Sequence, residues 1–204
     1  QHQRRLAIVI PNVLSHAECD GIIRVCETRF GFEPALLNIG VGQQMKALSK
    51  RKSGRCMIDD VAAADLLFER VRPFLPAEHT VIRGGSLWKC VGLNERLRVL
   101  KYQPGDFFRP HQDGNYVRIQ QGVKPLEVGE PRDTSFFTLM FYLNTPVRGG
   151  DTNFLNPRDE SQVSPVAPTA GAALCFDHDL THEGALLESG VKYCIRTDVM
   201  YRRD

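Results

Sequence analysis

The sequence predicts an α+β protein with a double-sheet β core, on two observations. Two segments with helical apolar spacing and recognisable caps occupy the first part of the chain. From about residue 86 short β-branched and aromatic runs follow at fairly even intervals, separated by Gly, Pro and Asp turns. At 204 residues the chain fits a single domain, with helical support over about 1–85 and a β core over about 86–204. A hydrophobic content of 42% beside 25% charged residues suits a packed interior.

In order along the chain, "RRLAIVIPNVL" reads as a short strand running into a turn at Pro11–Asn12. "SHAECDGIIRVCETR" reads as a helix with Ser15 as N-cap and Glu18 three residues on, a capping box, with Cys19, Ile22, Ile23 and Cys26 at helical spacing. Residues 31–55 carry glycines and basic residues with little periodicity and read as a loop or irregular edge strand, a candidate lid. "DDVAAADLLFERVRPFLP" is a second helix starting near Asp59–Asp60, with Leu66, Leu67, Phe68 and Val71 on its apolar side and a stop at Pro73 to Pro76. Beyond it, "NERLRVLKYQPG" alternates Leu97, Val99 and Lys101 against Arg98, Leu100 and Tyr102. "TSFFTLMFYLNTP" is a dense β run ending at Asn144–Thr145–Pro146, and "GGDTNFL", "GAALCFD" and "KYCIRTDVMYR" are further short strands.

Composition narrows the function classes. A net charge of +2 gives no argument for nucleic acid, and the local cluster Lys46, Lys50, Arg51, Lys52 and Arg55 reads as a solvated loop. No apolar run approaches the roughly 20 residues that cross a bilayer, so no membrane is expected. The six cysteines form no C-x-x-C pair, which argues against cysteine-bound zinc, and Cys175 and Cys194 lie in apolar runs where a free thiol packs as a small core residue. Reduced thiols point to a cytoplasmic compartment. The first residue is Gln1, which reads as a trimmed N terminus.

The chemistry concentrates in "YQPGDFFRPHQDGNY", where His111 and Asp113 stand one residue apart. On an extended segment that spacing puts both side chains on one side. Two histidines and a carboxylate on one face of a metal, with the remaining positions open, is the arrangement of mononuclear Fe(II) sites that handle O2. Among the other histidines, His2, His16 and His79 read as surface positions, which leaves His178 and His182 in "CFDHDLTHEG" as sources of a third ligand. Further on, Lys192 offers a point charge for a cosubstrate with a distal carboxylate. Arg196 lies on the same face of that strand, so it competes for the role or supports it.

Five features occur in order: Tyr102-x-x-Gly105, His111-x-Asp113, Gly149-Gly150-x-Thr152-x-Phe154, His182-Glu183-Gly184 and Gly190-x-Lys192-Tyr193. The stretches that carry them, together covering about 97–202, resemble the 2-oxoglutarate- and Fe(II)-dependent oxygenases, in particular the catalytic domain of prolyl 4-hydroxylases. The resemblance implies a distorted double-stranded β-helix, a jelly roll, with N-terminal helices packed outside. It implies His111, Asp113 and His182 as the catalytic iron ligands and Lys192 as partner of the 2-oxoglutarate distal carboxylate. Tyr102 would line that pocket and donate to the cosubstrate, and Tyr142 aligns with a position that bonds the same carboxylate. Gly149, Gly150 and Thr152 would be architectural. Two departures stand out: Phe108 replaces a tyrosine common in relatives, and Arg196-Thr197-Asp198 differs from the collagen-modifying enzymes.

The implied activity is hydroxylation of a prolyl or other residue in a peptide or protein. It consumes 2-oxoglutarate and O2, passes through a ferryl species and releases succinate and CO2, with ascorbate as a candidate reductant. Asp177, Asp179 or Glu183 are candidate partners for the outward nitrogens of the ligating histidines. Substrate access is expected between the 31–55 segment and the long loop "GNYVRIQQGVKPLEVGEPRDTS". The alternatives are an oxygenase acting on a small molecule or free amino acid, a non-catalytic scaffold of the same fold, and a zinc hydrolase.

Overall fold

The computed structural model describes residues 5–35, 37–40, 43–45, 49–80, 86–118 and 133–203. Lys46 and most of the long loop before Asp133 lie outside the described residues.

Two antiparallel sheets dominate. Among the described residues the larger has nine strands, and its main path runs Ala7–Ile10, Ala173–Asp177, Thr134–Tyr142, Lys192–Arg203, Arg96–Tyr102, Gly54–Asp59 and Glu33–Pro34. Leu87–Leu93 pairs with the far half of Lys192–Arg203 and carries Glu78–Thr80 at its side. The smaller sheet has five strands, in the order Asp159–Val166, Thr152–Asn156, His182–Gly184, Phe107–His111 and Arg51–Lys52. Two antiparallel sheets with two helices are consistent with a jelly-roll fold.

The period-2 alternation of the larger sheet sorts its side chains into two apolar clusters. Leu97, Val99, Phe137, Leu139, Phe141, Ala173 and Cys175 join one cluster, together with Cys19 and Cys26 and with Ala64, Leu67 and Val71. Leu100, Tyr102, Met140, Tyr142, Leu174, Phe176 and Cys194 form the other, against Phe154 of the smaller sheet. The candidate site lies on the second face.

Local signals explain the helices. Helix α1 spans His16–Val25, and Ser15 closes a reciprocal capping box with Glu18. Helix α2 spans Val61–Val71, and the Asp60 carboxylate caps Ala63 N–H. Its buried face is Ala64, Leu67 and Val71. Leu66, expected on that side, is 59% exposed, because a helix turns about 100° per residue and carries it off the i, i+3, i+7 stripe.

The structure bears on three further expectations, about residues 31–55, His79 and the cysteines. Of the two readings of residues 31–55, loop or irregular edge strand, the strand holds: Glu33–Pro34 and Arg51–Lys52 lie at the edges of the two sheets, Leu37–Gly40 pairs with Gln43–Met45, and Gly54–Asp59 begins there and ladders along Arg96–Tyr102. The first 85 residues thus give the larger sheet strands as well as two helices. His79 belongs to Glu78–Thr80 and is half-buried, its ring stacked on Phe136 at 4.4 Å. All six cysteines are free, and Cys175 and Cys194 are fully buried.

Candidate metal centre

His111 ends the strand Phe107–His111 and His182 opens the strand His182–Gly184. These strands pair, and the register sets His111 opposite His182 across an irregularity after Phe108. Asp113 follows, its backbone N–H donating to the His178 carbonyl. The chain therefore brings one ligand-type atom from each of His111, Asp113 and His182 within 4.8 Å of one another. Asp113 Oδ1 lies 3.8 Å from His111 Nε2, and Oδ2 lies 3.7 Å from His182 Nε2.

The imidazoles are oriented from behind by backbone. His111 Nδ1 lies 2.8 Å from the Arg109 carbonyl and His182 Nδ1 lies 3.0 Å from the Leu180 carbonyl. A carbonyl only accepts, so each Nδ1 carries the proton and each Nε2 turns a lone pair inward. This corrects the expected acidic partners. Asp177 accepts from Leu6 N–H, Asp179 pairs with Arg5, and Glu183 accepts from Asn153. Burial, and after it the neighbouring His182, lowers the His111 pKa to about 4, which favours the neutral form that ligates metal. His111 also stacks on Phe108 at 3.6 Å, and the Arg51 guanidinium lies over the other ring, 4.5 Å from the Phe108 centroid.

Burial pushes the Asp113 carboxyl up. The Arg196 guanidinium, the two histidines and a hydrogen bond from the Thr138 hydroxyl (2.5 Å) together outweigh it and hold the group well below the usual carboxylate range. Arg196 Nη2 lies 3.2 Å from Asp113 Oδ1 and 3.1 Å from Asp198 Oδ1. Asp198 is buried and also accepts from Asn94 and Arg98. The sequence reading missed Thr138, Asp198, Arg98 and Asn94, whose types carry no signal for a ligand-support role. His178, the rival source of a third ligand, points elsewhere: it is buried with its Nε2 3.7 Å from Asp198 Oδ1.

Lys192 and Arg196 share one face of the strand Lys192–Arg203, yet their surroundings differ. Arg196 is tied to the two aspartates. Lys192 is 2% exposed, and its ammonium donates to the Gly150 carbonyl between the rings of Tyr102 (5.4 Å) and Tyr142 (5.5 Å). Among the described residues it meets no carboxylate, and burial holds its pKa below the ordinary lysine value. Tyr102 lines the same cavity, its phenol pushed up to about 12 by burial. Tyr142 lies behind the wall, its hydroxyl 2.8 Å from Thr152 Oγ1; Thr152, read as architectural, faces the cavity itself. Gly149 and Gly150 sit at φ +77° and +80°, and a side chain on Gly150 would press on the Lys192 stem.

His111, Asp113, His182, Tyr102, Thr152, Lys192 and Arg196 open onto a cavity of about 610 Å³, whose walls also include Lys50, Arg51, Arg109, Asn115 and Tyr116. The cluster read as a solvated loop is thus in part a cavity wall, while Lys52 pairs with the buried Asp106. Two imidazoles, one carboxylate and an open side make a donor set that fits Fe(II).

Fold and donor set together fit a jelly-roll protein with a candidate metal site between paired strands. Residues 97–197, just under half of the chain, match the model of the 2OG-Fe(II) oxygenase superfamily, and the matched stretch contains Tyr102, His111, Asp113, His182, Lys192 and Arg196. A comparison with curated proteins gave no match. Among solved structures, the chain is similar to a viral collagen prolyl hydroxylase from Paramecium bursaria Chlorella virus-1 in complex with 2OG. The identity is 19% over 95% of each chain, with a TM-score of 0.58. It is also similar to a Pseudomonas putida prolyl-4-hydroxylase (18% identity, 97% of this chain and 92% of that one, TM-score 0.60). A third is a Trichoplax adhaerens prolyl hydroxylase in complex with a hypoxia inducible factor peptide fragment (17%, 97% and 83%, TM-score 0.61). At these identities the likeness is one of fold. No helix among the described residues is long and apolar enough to cross a membrane.

Proposed function

We propose that this protein is a 2-oxoglutarate- and O2-dependent hydroxylase of a prolyl or other residue in a peptide or protein. One observation carries the reading: a two-histidine, one-aspartate cluster and a buried ammonium without a carboxylate share one cavity. His111, Asp113 and His182 would hold Fe(II), which would let O2, with 2-oxoglutarate as the two-electron reductant, hydroxylate a C–H bond. One oxygen atom goes to the substrate and one to succinate, with release of CO2.

The protein's own work is positioning. The Arg109 and Leu180 carbonyls fix both imidazoles. Thr138 and Arg196 fix Asp113. Lys192 receives the distal carboxylate of the cosubstrate, exchanging a bond to a neutral carbonyl for an ion pair inside an aromatic cage. Tyr102 donates to the cosubstrate beside it. The prolyl hydroxylases of similar fold support a peptide substrate.

The test is turnover with proline-containing peptides in air, with Fe(II), 2-oxoglutarate and ascorbate, read by mass spectrometry and succinate formation. The expected result is a gain of one oxygen per succinate formed. Succinate without any oxidised peptide, across a broad peptide set, would instead favour a small-molecule substrate.

A further inference from the structure

The basic cluster around residue 50 reaches the cavity through its strand. Arg51–Lys52 is the outermost strand of the smaller sheet beside Phe107–His111, and Arg109 N–H donates to the Lys50 carbonyl. The pairing sets Lys50, Arg51 and Arg109 along the wall next to His111. Lys50 and Arg109 are exposed and Arg51 half-buried, and none of the three is ion-paired among the described residues. Instead the Arg51 and Arg109 guanidiniums lie over the Phe108 and Phe107 rings, at 4.5 and 5.0 Å. Aromatic faces orient a guanidinium without neutralising it. The described cavity lining holds seven cationic side chains against three carboxylates. Two of those carboxylates, Asp113 and Asp198, are already satisfied by Arg196 and Arg98, and Glu183 accepts from Asn153.

We propose that Lys50, Arg51 and Arg109 form a subsite that selects a peptide bearing Asp or Glu side chains beside its reacting residue. This rests on the reading of the cavity as a 2-oxoglutarate-dependent peptide hydroxylase. The wall addresses an anion other than the cosubstrate, because the cation assigned to 2-oxoglutarate, Lys192, is buried whereas Lys50 and Arg109 face solvent. Like charges gathered on one rim repel one another in the free protein. A carboxylate-bearing segment relieves that repulsion and draws its partner in from solution. A peptide laid along the edge strand would meet Arg109 and Lys50 with neighbouring side chains while its reacting residue faces His111.

The test uses fluorescence anisotropy of labelled proline-centred peptides of equal length, flanked by Glu/Asp, by Ser/Gln or by Lys. Binding is measured anaerobically to the full chain with Fe(II) and 2-oxoglutarate. The acidic peptide is expected to bind roughly tenfold tighter than the neutral one at low salt, with the gap closing at high salt. In the double variant Lys50→Glu, Arg109→Glu the order should invert in favour of the lysine-flanked peptide. The proposal is overturned if the neutral peptide matches the acidic one, if the acidic advantage survives the double variant, or if no peptide binds. Free glutamate displacing the acidic peptide at comparable concentration would also overturn it, pointing to a small anion. Fe(II) and 2-oxoglutarate binding, followed separately by absorption without peptide, keeps a failure of the hydroxylase reading distinct from a failure of the subsite.

Discussion

Arg196 Nη2 bridges two buried aspartates, lying 3.2 Å from Asp113 Oδ1 and 3.1 Å from Asp198 Oδ1. Asp113, the carboxylate of the proposed iron site, is therefore held in place before any metal arrives. Removing the guanidinium leaves two buried carboxylates competing for Arg98, Asn94 and Thr138. Arg196→Met is expected to destabilise the metal-free protein by about 3–5 kcal/mol, the cost of orphaning one side of a buried pair. Chemical denaturation with and without Fe(II) checks it, since metal should restore part of the loss by neutralising Asp113.

Lys192 should behave in the opposite way. Its ammonium is buried beside two aromatic rings and a carbonyl, with desolvation working against its charge. Lys192→Met is expected to raise the melting temperature of the metal-free protein while weakening 2-oxoglutarate binding by at least roughly tenfold, a stability–function trade-off. Calorimetric melting and cosubstrate titration of the same variant read the two effects.

The Gly149–Gly150 turn is sterically determined. Both residues have positive φ, and a Cβ at Gly149 would collide with the Leu186 carbonyl. Gly149→Ala is expected to cost more than the roughly 1 kcal/mol of an ordinary glycine-to-alanine change at positive φ, because backbone must also move. Gly150→Ala meets only the Leu187 and Lys192 side chains, so its main effect should be on 2-oxoglutarate affinity. Comparing the two variants by melting and by titration separates fold from site.

One acid limb of stability is assigned to Glu18. Its two oxygens take a forked pair of bonds from Arg70 of α2, and Ser15 N–H donates to the same carboxylate. The Arg70 hydrogen bonds, then those from Ser15, lower its pKa from 4.5 to about 2. A carboxyl with a depressed folded pKa stabilises the fold above its unfolded value, and that contribution fades as pH falls through the folded one. Between about pH 4.5 and 2 the wild type should therefore lose more stability than Glu18→Gln, which denaturant midpoints across that range will show.

Much of this was legible beforehand where the chain uses local or periodic signals. The Ser15–Glu18 box and the alternation in Arg96–Tyr102 are written in residue spacing, and so is the cationic face holding Lys192 and Arg196. What was not legible depends on which way a strand faces or on backbone atoms. Nothing in the sequence tells that Arg51 lies over Phe108 beside His111 rather than in solvent. Carbonyls such as those of Arg109 and Leu180 leave no trace in residue type, so acids were expected in their place. Leu66 failed because adjacent helical residues cannot share one stripe, and His79 because strand pairing, not local pattern, sets its ring against Phe136.

The central claim is that His111, Asp113, His182 and Lys192 form one site for Fe(II) and 2-oxoglutarate. Anaerobic titration of the purified protein with both, watching for the visible metal-to-ligand absorption band of the chelate, tests it most directly. The band is expected in wild type, absent in His182→Ala and weakened in Lys192→Ala. A folded wild-type protein that shows no band, and binds Zn(II) tightly instead, would contradict the claim.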